Sequence, residues 1–139
     1  DLVQKATQKN KHLFVFLHRT DCGYCESLKE FTLQNDIINA YIQQNFIYEH
    51  INIIEKDTVI YKNFKGNGRE FARKIGFDFY PSSLFFNEKK ELIYAEIGYR
   101  DTKEETNEKR FFKILHFIKS RSYKTMDYGN YHYKIQEEL

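Results

Sequence analysis

The sequence predicts an α/β fold, with one central mixed β-sheet, helices on both of its faces and an extra helical segment at the C-terminal end. Three observations predict it. The run His12 to His18 (HLFVFLH) is nearly continuous in apolar residues and precedes a segment of helical spacing. A second strand-like stretch, Phe46 to Ile54, follows; a β-α-β unit takes a right-handed crossover, which lays its two strands parallel in one sheet. Two later runs, Leu84-Phe85-Phe86 and Leu92 to Ile97, are joined by Asn87-Glu88-Lys89-Lys90 and read as an antiparallel hairpin. At 139 residues the chain suits a single domain, 1–139, with its core at about 12–120 and a helical extension at about 121–139.

Residues 1–9 are polar and read as a short helix or a frayed end. The apolar run Leu13 to Leu17 suggests a strand covered on both faces. Thr20, Asp21 and Gly23 supply turn and helix-start chemistry. Cys25, Leu28 and Phe31 recur every third residue, which puts them on one side of a helix. Asp36 is the expected N-cap of the next helix, whose apolar face is Ile37, Ile38, Tyr41 and Ile42. In the second strand Ile47, Glu49, Ile51 and Ile53 alternate onto one face. Residues 55–68 are irregular and end in Lys65-Gly66-Asn67-Gly68, a loop signal. Phe71, Ala72 and Ile75 mark a short helix, which Gly76 is placed to end in the left-handed conformation. Thr102 and Glu105 fit a capping box for a helix that buries Phe111, Phe112, Leu115 and Ile118. Asp127 precedes a last amphipathic segment carrying Tyr128, Tyr131 and Ile135.

Composition narrows the function. Hydrophobic residues make up 41%, and 13 Phe with 11 Tyr supply enough bulk to fill a small interior. The net charge is +2, from 22 basic against 20 acidic side chains, which argues against a dedicated nucleic-acid binder. No apolar run approaches the ~18 residues of a membrane span. The chain starts at Asp1 with no basic-then-apolar leader, and reads as a trimmed or mature form.

The two cysteines, Cys22 and Cys25, stand directly after the first strand and at a helix start. A loop so short stabilises a fold weakly, so redox chemistry or metal binding explains the pair better than a structural staple. At a helix N-terminus, backbone N–H groups and the helix dipole favour an anion and lower a thiol pKa. That makes Cys22 the exposed nucleophile and Cys25, one turn further on, the more buried resolving thiol. A zinc site needs four ligands and a second cysteine pair is absent, although His18 could contribute if its ring does not simply pack beside the helix. Tyr80-Pro81, with the only proline, lies just before a strand; local sequence does not choose between trans and cis there.

The strings HLFVFLHRTDCGYC and FARKIGFDFYPSSLFF, with a helix between them and a hairpin after, resemble the thioredoxin family over about residues 12–120. The resemblance implies the thioredoxin fold, with Cys22 and Cys25 as nucleophilic and resolving cysteines. It implies that Pro81 is a cis-proline facing the pair, and that it binds substrate together with the backbone of Tyr80. Gly98 looks like the glycine that ends the last strand beside the active site. No organic cofactor is implied, because the redox-active disulfide Cys22–Cys25 stores two electrons. A narrower resemblance is to bacterial periplasmic thioredoxin-related proteins of the SoxW type. It rests on Glu26 after the pair and on the tail Phe117 to Lys124 followed by Tyr128 to Lys134. It implies a periplasmic location and reduction of disulfides in secreted redox proteins. The sequence departs from the family in Gly23-Tyr24 between the cysteines, in Asp21 where a tryptophan is usual, in Phe16 where a buried acid is usual, and in the bulk of Tyr80.

The reading that follows is a monomeric thiol–disulfide oxidoreductase. It would exchange disulfides with protein substrates, acting as a reductase and drawing on a redox partner protein, with no nucleic-acid partner and no membrane span. The alternatives are an isomerase or oxidase of the same fold, a metal-binding module using Cys22, Cys25 and His18, and a redox-inactive interaction domain.

Overall fold

The computed structural model describes residues 10–138, and side chains over 10–135. The expectation for residues 1–9 lies outside the described residues. The first strand, β1, spans His12–His18 as the apolar run predicts. Its alternation serves two hydrophobic clusters. Leu13, Val15 and Leu17 face one with Ile53, Phe71, Leu84 and Phe86. Phe14 and Phe16 face the other with Leu28, Ile38, Ile42, Phe46, Phe85 and Phe111. A strand covered on both faces needs apolar side chains at every position, which is why no polar alternation shows in it.

Strand β2 (Phe46–Asn52) lies parallel to β1, with Phe16 opposite His50 and His18 opposite Asn52. Strands β5 (Ser82–Phe86) and β6 (Leu92–Ile97) form the expected hairpin, and β5 pairs antiparallel with β1. The sheet order is therefore β2-β1-β5-β6, a mixed sheet with β1 and β5 in its middle. Between β2 and β5 the chain makes a small separate hairpin, β3 (Val59–Tyr61) and β4 (Phe64–Gly66), in the region expected to be irregular. Tyr61 and Phe64 anchor it on Phe71 by ring contacts of 5.7 and 6.1 Å.

The helix start after β1 is confirmed, but its course is not the expected one. Helix α1 (Gly23–Ser27) passes into a π-helical turn, Leu28–Leu33. A π turn holds more residues than an α turn, so the buried face advances. Thr32 and Leu33 follow Leu28 inward, and Phe31, expected beside Cys25, is exposed. Thr32 donates to Asn107 Oδ1 at 2.5 Å, a buried polar tie to the far helix.

Helix α2 (Asp36–Asn45) is capped by Asn35, not Asp36: the Asn35 side chain accepts from the N–H groups of Ile37 and Ile38. Both residue types cap well, so the one-residue error is a matter of where the turn ends. Ile38 and Ile42 are buried as expected, whereas Ile37 is exposed on the first turn. Helix α3 (Gly68–Ile75) begins with a full capping box, Asn67 with Glu70, and ends at Gly76, whose φ of 85° is left-handed as expected. Asn67→Ala should cost about 0.5–2 kcal/mol. It would be read as a lower urea midpoint at unchanged slope.

Helix α4 (Asn107–Lys119) is capped by Thr106. Thr102 and Glu105 do bond each other, but in the preceding turn, and the Glu105 carboxylate goes instead to Lys113 at 2.6 Å. Phe111, Leu115 and Ile118 are buried, joined by Ile114 and Phe117, while Phe112 is half-buried. Helix α5 (Tyr128–Glu138) brings Tyr128 and Tyr131 into the main cluster, and Asp127 accepts from the N–H of Asn130 at its start. The Tyr128 ring lies 5.2 Å from the Arg110 guanidinium, which holds the buried Glu96 of β6 in a two-pronged ion pair.

Candidate active site

The end of β1 aims the chain at the motif. Asp21, at φ 59°, turns it sharply, and Cys22 becomes the N-cap of α1. Cys22 and Cys25 form a disulfide with Cα atoms 5.2 Å apart. The Cys25 N–H donates to Cys22 Sγ at 3.2 Å, so the free donor of the helix start points at that sulfur. This arrangement stabilises negative charge on Cys22 once the disulfide is opened. Cys25 is 1% exposed and Cys22 9%, so the order of accessibility is as expected, but the expectation of an exposed Cys22 is corrected: with the disulfide closed, both sulfur-bearing residues are buried. Tyr24 between them is exposed.

Pro81 comes to the same place from the other side of the molecule. The Tyr80–Pro81 bond is cis, and the Tyr80 carbonyl oxygen stands 3.9 Å from Cys22 Sγ. Gly98 meets them across the hairpin: its N–H donates to the Pro81 carbonyl at 2.8 Å. At φ 85° Gly98 has open space where a side chain would project, which leaves the ground beside Pro81 clear. Cys22, Cys25, Tyr80, Pro81 and Gly98 are thus drawn to one end of the sheet.

Sequence reasoning missed the support of Tyr80. Its hydroxyl donates to Asp78 Oδ1 at 2.6 Å, and Asp78 pairs with Arg73 of α3 at 3.5 Å. The hydrogen bond from Tyr80, with Arg73 beside it, holds the Asp78 carboxyl below its ordinary pKa, and partial burial with the same bond raises that of Tyr80. The Asp-x-Tyr spacing ahead of the proline was the available signal.

His18 is not turned toward a cysteine ligand set. Its ring stacks on Phe16 at 4.8 Å and its Nε2 lies 3.1 Å from His50 Nδ1 on β2. Among the described residues no group of three or more His, Cys, Asp or Glu is placed to hold a metal ion. Burial pushes the His18 pKa down to about 4, helped by His50 and Lys29. Burial likewise brings that of His12, which bonds the Tyr123 hydroxyl at 2.7 Å, to about 4. Both rings are neutral when folded and take a proton more readily when unfolded. Their contribution is therefore complete above pH ~6.5 and is lost as pH falls toward 4. We expect unfolding free energy to fall steadily as pH is lowered across that window. A His12→Gln variant should show a flatter profile in denaturant titrations at stepped pH.

Fold and site together define the class: a thioredoxin-fold domain that carries a disulfide across a Cys-x-x-Cys pair. The family model described as a thioredoxin-like domain matches residues 1–113, and the chain belongs to that family. A thioredoxin-fold protein from Helicobacter pylori has a similar structure, with a TM-score of 0.71 and 23% identity over 93% of this chain and 82% of that one. A disulphide isomerase from Xylella fastidiosa follows at a TM-score of 0.61 and 16% identity, over 84% of this chain and 85% of that one. At such identities the likeness is one of fold. An uncharacterized protein of Archaeoglobus fulgidus is 28% identical over 59 residues, or 42% of this chain. That match spans about half of the relative's own length, 46%.

Proposed function

We propose that the protein reduces disulfides in other proteins, using the Cys22–Cys25 dithiol as the electron donor. The observation that carries this reading is the placing of Cys22. Its sulfur caps a helix, receives the Cys25 N–H at 3.2 Å and lies 3.9 Å from the backbone of the Pro81 loop. In the reduced protein the Cys22 thiolate attacks one sulfur of a substrate disulfide. A new S–S bond forms and the substrate's other sulfur leaves as a thiolate, which takes up a proton. Cys25 then loses its proton and attacks Cys22 Sγ; the second substrate sulfur departs and is protonated. Two electrons have passed to the substrate and the Cys22–Cys25 disulfide is restored. The backbone of Tyr80 and the clear ground at Gly98 suit an extended substrate segment laid beside the pair. A redox partner protein must then reduce the disulfide again.

The direction is tested by equilibrating the Cys22–Cys25 couple with glutathione. A reductase is expected near the roughly −270 mV of thioredoxin; a value near about −120 mV would make the protein an oxidant. We propose the bacterial periplasm as its compartment, on the resemblance of its tail to periplasmic relatives. Fractionation of cells carrying the full gene tests that reading.

A further inference from the structure

Ser83, the second residue of β5, is 0% exposed, yet among the described residues nothing hydrogen-bonds its hydroxyl. A buried polar atom in that state costs stability, and the great majority in native proteins are paired. Neither lateral neighbour serves it. Phe16 of β1 stands opposite on one side and has no polar side-chain atom. Glu96 of β6 stands opposite on the other, and its carboxylate goes to Arg110 and the Tyr94 hydroxyl. The hydroxyl of the preceding Ser82, by contrast, donates to the Phe79 carbonyl. The surroundings of Ser83 lead to the disulfide. Along β5 it alternates with Leu84 of one cluster and so shares its face of the sheet with Phe85, which packs in the other cluster with Phe16 and Leu28. Leu28 follows Cys25 by three residues, and both are buried on the same side of the helical segment. Cys25 and Ser83 therefore face one layer, between α1 and the sheet. The sulfur pair also meets the entry to β5: Cys22 Sγ lies 3.9 Å from the Tyr80 carbonyl, and Ser83 comes three residues later. Cys25 is the deeper of the two cysteines, toward the level of Ser83.

We propose that Ser83 is a positioning residue for Cys25: when the disulfide opens, its hydroxyl becomes the hydrogen-bond partner of the Cys25 sulfur, directly or through one bridging water. Toward the thiol, Ser83 Oγ accepts from the Cys25 S–H. Toward the thiolate, the hydroxyl turns and donates. A bond to a charged acceptor is the stronger of the two, so the hydroxyl favours the thiolate at a buried position where desolvation opposes it. The hydroxyl keeps its own proton throughout. The proton that Cys25 gives up during resolution is matched by the one that the departing substrate sulfur takes up, and the electrons pass as in the exchange itself. With the disulfide closed, Cys25 Sγ has neither a proton to give nor a charge to receive, and the hydroxyl is left idle. The role in resolution rests on the proposed exchange with protein substrates, whereas the bond to Cys25 does not.

The test needs no substrate. Cys22→Ser leaves Cys25 as the only cysteine, and its ionisation is followed through the Cβ resonance of isotope-labelled cysteine against pH. Adding Ser83→Ala should leave about tenfold less thiolate at a given pH below the midpoint. In the protein with both cysteines, Ser83→Ala should shift the equilibrium with glutathione about tenfold toward the disulfide, since it removes a bond from the reduced form and an unpaired hydroxyl from the oxidised one. For the same reason the urea midpoint of oxidised Ser83→Ala should equal or exceed that of wild type. Ser83→Thr, which keeps the hydroxyl, should return both the ionisation and the glutathione equilibrium to wild-type values. Ionisation and equilibrium unchanged in Ser83→Ala, a Ser83→Thr protein that behaves as Ser83→Ala does, or an oxidised Ser83→Ala protein weaker than wild type would overturn the assignment. Insulin reduction measured alongside separates the two readings. If wild type reduces no insulin while the shifts are seen, the exchange reading fails and the bond to Cys25 stands. If insulin is reduced and the shifts are absent, the assignment of Ser83 falls alone.

Discussion

Cys22→Ser should abolish the proposed disulfide exchange, with an expected loss of at least about 10³-fold in kcat/KM. The reason is chemical. A serine hydroxyl at that position keeps the cap geometry and can still accept the Cys25 N–H, so α1 should start where it does now. What goes is the nucleophile, because the alkoxide is not available at neutral pH as a thiolate is. The remaining thiol, Cys25, is 1% exposed and cannot reach a substrate disulfide. Insulin reduction followed by turbidity measures the effect. Activity within a factor of a few of wild type would remove Cys22 from the role assigned to it.

Cys25→Ser leads to the opposite fate. The first attack by Cys22 proceeds and nothing resolves the adduct, so mixed disulfides accumulate to near stoichiometric levels where wild type shows almost none. The adducts should be visible on non-reducing gels and vanish with dithiothreitol. The buried position of residue 25 adds to their lifetime, because an outside thiol must reach Cys22 past the Tyr80–Pro81 loop. Failure to recover any reducible adduct from cells making this variant would count against exchange with protein partners.

Much of this architecture is legible in the residues, and the failures have physical causes. β1, the β5–β6 hairpin and the stop at Gly76 follow from local rules: a doubly covered strand is apolar throughout, a turn needs its polar residues, and a left-handed end wants glycine. The cysteine pair is read from spacing and from the strand before it. Phe31 goes astray because a π turn changes the period on which the helical pattern depends. The β3–β4 hairpin hides because its strands have three residues each, too few for alternation to register. Thr102 and Glu105 carry the letters of a cap, but Thr106 offers the same chemistry nearer the helix and takes the position. The meeting of His18 with His50 depends on the register of two parallel strands far apart in the chain, and local pattern carries no trace of it. The Asp78–Tyr80 link behind the proline loop likewise appears only when the loop is folded.

The place of α5 has a consequence for the order of events at the ribosome. Tyr128 and Tyr131 close over Phe117 and Tyr94, and the Tyr128 ring lies against the guanidinium that neutralises Glu96. The sheet and α4 are synthesised first, but their outer layer stays unroofed until residue 131 has emerged. Domains acquire structure as units during synthesis. A nascent chain paused before that point would carry the complete redox motif on an unfinished core, with aromatic rings open to whatever chaperone or neighbour comes by.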